Sequence, residues 1–274
     1  LTIVFWLTAC SLQLRKSTIS LPIVALMAHT GFPFVILKQV DSTNNYAMAK
    51  LHAGLAKHGD AWFSDRQMEG KGQRGKVWIT GEAQNIALSI VLTPKLLNIL
   101  HPFQLSIAVA LASFDFFSSY AGDETRIKWP NDIFWRDRKA GGVLIENKFI
   151  GSDWKWAVVG IGVNINQTQF DEALINPVSL TQITGKIFDP AKLGKELYQF
   201  VVKRTSELLT KPYEIILDEY NQHLYKMHES VRLKKDNMIF ETVIRGVSPQ
   251  GQLLTADAIE KHFDFGEVEW MFDA

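Results

Sequence analysis

Residues 125–147 read TRIKWPNDIFWRDRKAGGVLIEN, and how this stretch divides into elements decides the fold. TRIKW (125–129), IFW (133–135) and GGVLIEN (141–147) are short strand-like runs, separated by a proline turn and a charged break. Pro130 fixes its own φ and biases Trp129 toward extended backbone, so Lys128 and Asn131 are held in defined directions. A rigid turn with an incidental lysine accounts for the same letters. Gly141 and Gly142 lie inside a strand, where glycine weakens a sheet unless another backbone or a ligand comes close, and Lys139 stands beside them. VVGIGVNIN (158–166) repeats the feature with Gly160 and Gly162.

Outward from this stretch, FVILKQV (34–40), AWFSDR (61–66), NIALSIVLT (85–93) and WKWAVVGIGVNI (154–165) are further predicted strands. Asp41 or Ser42 can cap a helix running to about Lys57. Pro102–Tyr120 carries the 3.6-residue pattern of a buried helix, and residues 190–209 and 212–226 close the region as two more. Strands and helices are intermixed without strict βα alternation. The expected class is therefore α+β, a mixed or antiparallel sheet with helices on one face. After His228 short alternating segments separated by DN, PQG and ADA turns predict a small β-barrel.

DRQMEGKGQRGKVW (65–78) concentrates glycine and positive charge. Gly70, Gly72 and Gly75 spell GxGxxG, and Gly70 to Lys76 spell GxxxxGK. A dinucleotide fingerprint needs a helix directly after it, and a P-loop needs Ser or Thr after the lysine. Here Val77-Trp78-Ile79-Thr80-Gly81 follows, which is poor helix material. Neither pattern survives. What remains is a flexible cationic loop between two strands, suited to closing over an anion; taken alone, a solvated turn fits equally well. DSTNNY (41–46) crowds hydroxyls and amides at a strand-to-helix junction, where plain capping would suffice.

The 274 residues are 47% apolar and 21% charged, the balance of an ordinary globular chain. Lys+Arg and Asp+Glu are equal at 29 each, so no basic field argues for nucleic acid and anion recognition must be local. Cys10 is the only cysteine, which excludes a disulfide framework, a thiolate metal site and a redox pair. The seven histidines show no HExxH spacing. LTIVFWLTAC (1–10) looks like a signal-peptide core, yet no positive segment precedes it and the run is too short to span a bilayer. Met27 lies just ahead of the predicted domain, so residues 1–26 are expected to be a dispensable extension and the protein cytoplasmic and free of membrane.

Taken together and in order, these segments resemble the biotin–protein ligases. The resemblance is carried by Ser42-Thr43-Asn44, the glycine–cation loop from Gln67 to Trp78, Lys128-Trp129-Pro130-Asn131-Asp132, Arg138-Lys139 with Gly142, and Gly160-Ile161-Gly162-Val163-Asn164. It spans roughly residues 34–274, and the pairing of KWPND with RKAGG is its most specific part. It implies a class II synthetase-like catalytic domain at 27–227 and an SH3-like barrel at 228–274. It also implies that biotin is activated by ATP as biotinyl-adenylate and passed to a lysine of a biotin carboxyl carrier protein. Magnesium would come with ATP, and no tightly bound cofactor is expected. Relatives often pair through the catalytic sheet, so a homodimer is compatible with the family. A nucleic-acid partner is not expected.

By motif position, the resemblance implies catalytic roles for Lys139, Lys76 and Arg74. Biotin would be met by Ser42, Thr43, Asn44, Gln67, Gly70, Lys71, Gly72, Gln73, Lys139, Gly142 and Gly160. ATP would be met by Lys76, Trp78, Lys128, Asn131, Lys139 and Asn164, with Asp132 near its magnesium. Many relatives carry arginine where this loop has Lys71 and Gln73; lysine lacks the bidentate fork and glutamine lacks the charge. Lipoate ligases of the same fold are the nearest rivals, and a peptide-binding adaptor built on the barrel is the rival from another class. Octanoyl transferases need a catalytic cysteine, and Cys10 lies in the extension.

Overall fold

The computed structural model describes residues 33–272 except 79, 173 and 175; the expectations for residues 1–26 lie outside the described residues. Seven strands form the main sheet: β1 (Phe34–Leu37), β2 (Ala61–Ser64), β3 (Ile86–Leu92), β4 (Thr125–Lys128), β5 (Asp132–Trp135), β6 (Arg138–Ile150) and β7 (Asp153–Val163), in the order β1-β2-β3-β7-β6-β5-β4. The β1–β2 pair is parallel and every other neighbour antiparallel, so the sheet is mixed, as expected.

Strict two-residue alternation separates two faces. Ile86, Leu88 and Ile90 of β3 and Val159, Ile161 and Val163 of β7 join the main core with helices α2 (Pro102–Ala121), α4 (Pro190–Glu207) and α5 (Tyr213–Gln222); α3 (Leu180–Thr184) is a short turn of helix between them. The neighbouring positions Trp62, Val91 and Val158 form a smaller cluster with Ala47 of α1 (Thr43–His52). The long helices thus cover one face, and only the ten-residue α1 lies on the other. Sequence propensity carried α1 on to Lys57. It ends at His52 because Gly54 turns left-handed, with φ +69°.

The second sheet contains β8 (Ser230–Lys235), β9 (Met238–Val247), β10 (Leu253–Ala256), β11 (Glu260–Phe263) and β12 (Glu269–Met271) in the antiparallel order β11-β10-β9-β8-β12. This is consistent with an SH3-like unit. It shares a continuous core with the first sheet, to which Leu233, Ile244, Leu253 and Phe263 all belong. Asn221 of α5 stitches the two together, donating to the Val247 carbonyl at 3.2 Å and accepting from the Val247 amide at 2.8 Å. Among the described residues no helix is long and apolar enough to cross a membrane.

Arg204 ties the helical layer together. It bonds Asp115 of α2 at 2.5 Å, Glu219 of α5 at 2.6 Å and Glu207 of its own helix at 3.0 Å, with its side chain only 9% exposed. Removing it strands three carboxylates beside apolar surface. Arg204→Ala is expected to cost about 3–5 kcal/mol in urea unfolding; a loss below about 1 kcal/mol would show the cluster to be effectively solvated.

Candidate active site

The face bearing only α1 holds the segments singled out in the sequence. Alternation places Gly160 and Gly162 of β7 on this face, beside Ser89 and Ala87 of β3 and Leu144 and Gly142 of β6. Both glycines are required by close approach. A Cβ at Gly160 would strike the Asn44 side chain, and one at Gly162 would strike the Trp78 indole. The sequence argued that another backbone or a ligand comes close to these glycines; in the fold two side chains do so.

At the α1 end, a buried polar network surrounds Asn44. Its Nδ2 donates to Glu146 Oε2 at 2.8 Å, and its Oδ1 lies 2.6 Å from Ser89 Oγ, which is 2.8 Å from Thr43 Oγ1. Thr43 donates to Gln67 Oε1 through its amide at 2.8 Å and its hydroxyl at 3.0 Å. Ser42 sits at the helix N-cap but makes no side-chain capping bond, although it is buried. Plain capping therefore does not explain these residues. Sequence reasoning missed Ser89 and Glu146. The available signal was a hydroxyl inside the apolar run IALSIVL, at the only buried polar position of β3.

The glycine loop is folded back on itself. Lys71 bridges Val77, the Gly72 amide donates to the Lys76 carbonyl at 2.6 Å, and the Trp78 amide donates to the Gly70 carbonyl at 2.8 Å. A 3-10 turn, Gln73–Gly75, forms the tip, with Arg74 and Gly75 left-handed at φ +55° and +77°. Neither phosphate motif is present: no α-helix follows. The Gln73 amide donates to Asn131 Oδ1 and to the Val143 carbonyl, both at 3.0 Å, and so docks the loop on the sheet. Lys71 Nζ lies 3.6 Å from Glu146 and Arg74 donates to the Gly266 carbonyl at 3.2 Å. The Trp78 indole nitrogen is buried without a partner.

The third cluster grows from KWPND. The Trp129–Pro130 peptide bond is cis. Asn131 is buried and donates to the Val143 carbonyl at 3.0 Å. Asp132 pairs with Lys139 Nζ at 2.6 Å, and Gly142 leaves room for that pair, since a Cβ there would lie 2.8 Å from Asp132 Oδ1. Lys128 sits within 5.2 Å of the ring centres of Phe134, Trp270 and Phe272. Burial lowers its pKa to about 8, Asp132 opposing the shift and Lys139 and Lys76 adding to it. Asn164 is engaged with backbone, its Nδ2 donating to the Val178 carbonyl at 3.1 Å.

The named residues therefore gather in two groups along one face. Ser42, Thr43, Asn44, Gln67, Gly70, Lys71 and Gly160 form a polar, mostly neutral end. Gln73, Lys128, Asn131, Asp132, Lys139 and Gly142 form a cationic end, and Trp78 lies between them over Gly162. The arrangement suits a ligand with a neutral polar head and an anionic tail meeting a second anion. No group of three or more His, Cys, Asp or Glu positioned for a metal occurs among the described residues. Asp132, the carboxylate expected near the magnesium, is held here by Lys139 at 2.6 Å.

Gly162→Ala is expected to expel Trp78 and free the loop, seen as several-fold faster tryptic cleavage at Lys71 and Lys76 in the ligand-free protein. Cleavage at the native rate would mean that Trp78 does not pin the loop to β7.

Comparison with known proteins identifies the family. Residues 36–164 match the model of the biotin/lipoate A/B protein ligase family. The biotin–acetyl-CoA-carboxylase ligase of Paracoccus denitrificans is 30% identical over 226 residues, covering 80% of this chain and 92% of that protein. The bifunctional ligase/repressor BirA of Escherichia coli K12 is 28% identical, covering 87% of this chain and 74% of that protein. A solved structure of the Aquifex aeolicus biotin protein ligase in complex with biotin and ATP superposes with a TM-score of 0.71 at 27% identity, covering 88% and 99% of the two chains. The chain belongs to the biotin protein ligases of the biotin/lipoate A/B ligase family.

Proposed function

We propose that this protein is an ATP-dependent biotin ligase that modifies a lysine of a biotin carboxyl carrier protein. The observation that carries this is the placement of Lys128 and Lys139 beside a docked glycine loop, on the same sheet face as the polar cluster around Asn44. In the first step a biotin carboxylate oxygen attacks the α-phosphorus of ATP. The bond to the bridging oxygen breaks, leaving biotinyl-adenylate and pyrophosphate. In the second step a neutral lysine amine of the acceptor attacks the acyl carbon, the anhydride bond breaks, AMP departs and the amine loses a proton.

Each step brings negative groups together, and the residues here meet that need. Lys139 exchanges Asp132 for the biotin carboxylate and α-phosphate, and Lys128 faces the nucleotide from its aromatic enclosure. Such preorganised cations in a partly dry site stabilise developing charge more than solvated ones do. The network of Ser42, Thr43, Asn44, Gln67 and Ser89 offers donors and acceptors for the ureido head of biotin. Gly70, Lys71, Gly72, Gln73 and Trp78 cover the ligand, and Lys76 lies toward the phosphates. Magnesium enters with ATP as part of the substrate. The same reading takes the reaction to be cytoplasmic, and a neutral net charge argues against nucleic acid as a partner. A lipoate ligase of the same fold would be recognised by its substrate alone, and an adaptor has no use for Lys128 and Lys139 beside the glycine strands.

Incubation with ATP, an apo carrier domain and labelled biotin should label the carrier; transfer of labelled lipoate alone would overturn the assignment. Lys139→Ala should slow biotin-dependent pyrophosphate release by roughly 10²–10³-fold with the fold intact, and near-native turnover would remove Lys139 from the chemistry. The depressed pKa of Lys128 adds a pH signature. Below about pH 8 it is cationic; as pH rises through that value the charge is lost, and ATP affinity should fall by at most about tenfold per pH unit. Lys128→Arg should abolish that dependence, whereas a flat native profile between pH 7 and 9.5 would exclude a depressed Lys128 pKa as a factor in ATP binding.

A further inference from the structure

The second sheet meets the glycine loop of the candidate site through the turn between β11 and β12. The Glu267 amide donates to the Asp264 carbonyl at 3.0 Å, and the Asp264 amide donates to the Glu267 carboxylate at 2.8 Å. Lys235 holds Glu267 at 3.2 Å, and Gln252 donates to Asp264 at 3.0 Å. The turn is thus fixed to its own sheet from both sides. Phe265 leaves it to meet the Trp129 ring edge-on at 5.9 Å, and Trp129 in turn donates to the Gly251 carbonyl at 3.0 Å.

From this fixed turn the Gly266 carbonyl accepts the Arg74 guanidinium at 3.2 Å, a contact that spans 192 residues of sequence. Two features show that the approach is built into both partners. Gly266 has φ +88°, a conformation that side-chain-bearing residues rarely adopt, and a Cβ on it would lie 2.7 Å from Arg74 Nη1, so a side chain there would push the guanidinium aside. Arg74 itself is a non-glycine residue at φ +55°, a conformation that costs free energy and needs an external contact to maintain it. The tip of the glycine loop is therefore held twice, by Gln73 on the main sheet and by Arg74 on the second sheet.

We propose that Arg74 is a positioning residue which clasps the Gly266 carbonyl, so that the second sheet holds the glycine loop in place over the site. The clasp is a contact within the chain itself. Its consequence, slower escape of the adenylate, rests on the ligase function proposed above. Coupling of this kind is reciprocal: whatever the turn does to the loop, the loop does to the turn.

Hydrogen–deuterium exchange of the ligand-free protein tests this without any activity. In Arg74→Gln, amides of residues 70–78 and of residues 264–268 should both exchange about three- to tenfold faster, the scale of losing one net hydrogen bond. Arg74→Lys, which keeps a cationic donor of similar reach, should restore most of the protection in both segments. Single-turnover release of adenylate, measured without acceptor, should quicken in Arg74→Gln by a similar factor and recover in Arg74→Lys. Unchanged exchange at 264–268 in Arg74→Gln, or equal loss in the glutamine and lysine variants, would overturn the clasp. Coupled exchange in a native protein that shows no biotin-dependent pyrophosphate release would leave the clasp standing and defeat only the ligase assignment.

Discussion

The site depends on the alternation of strand β7. Val159, Ile161 and Val163 point into the helical core, and this fixes the direction of the two glycines between them. With no side chains at 160 and 162, the opposite face has a floor low enough for Asn44 and Trp78 to lie flat on it. A one-residue slip in pairing with β3 would turn the valines into the site and the glycines into the core. The helical layer therefore does more than stabilise: by burying one side of β7 it holds the register that makes the other side a binding surface.

On that surface the cations are compensated in different ways. Lys139 is paired with Asp132, which an incoming anion must displace. Lys128 has three aromatic rings around it, whose faces favour a cation but replace less solvation than burial removes, so its proton is loosely held. Two of those rings, Trp270 and Phe272, come from the end of the second sheet and its following residue. The cationic end is thus completed only when both sheets are folded together. That agrees with a continuous core and with the turn at 264–267 resting on Trp129.

The glycine loop shows where local inference and packing part company. Its glycines and lysines argued for mobility over an anion, and the two phosphate motifs were rightly set aside because β-branched residues follow. Its docking was not legible. Gln73 looked like a lost charge, whereas in the fold it is the amide that anchors the loop to Asn131 and Val143. Arg74, expected as an anion contact, reaches in the fold a carbonyl nearly two hundred residues away. Neither partner could be named from spacing, because both contacts depend on how separate sheets meet.

The sequence by itself determined the class of fold, the strand and helix order, and the segments that line the site. Those properties follow from periodicity and from proline and glycine, which act on their own backbone. It also carried the family, through motifs whose order is specific. Only the tertiary structure decided that Ser89 and Glu146 belong to the polar network, that Lys128 is enclosed by aromatic rings, and that Gly160 and Gly162 lie under side chains of the same chain. Each of these is a contact between distant segments, and its strength is set by burial and orientation, which no local pattern encodes.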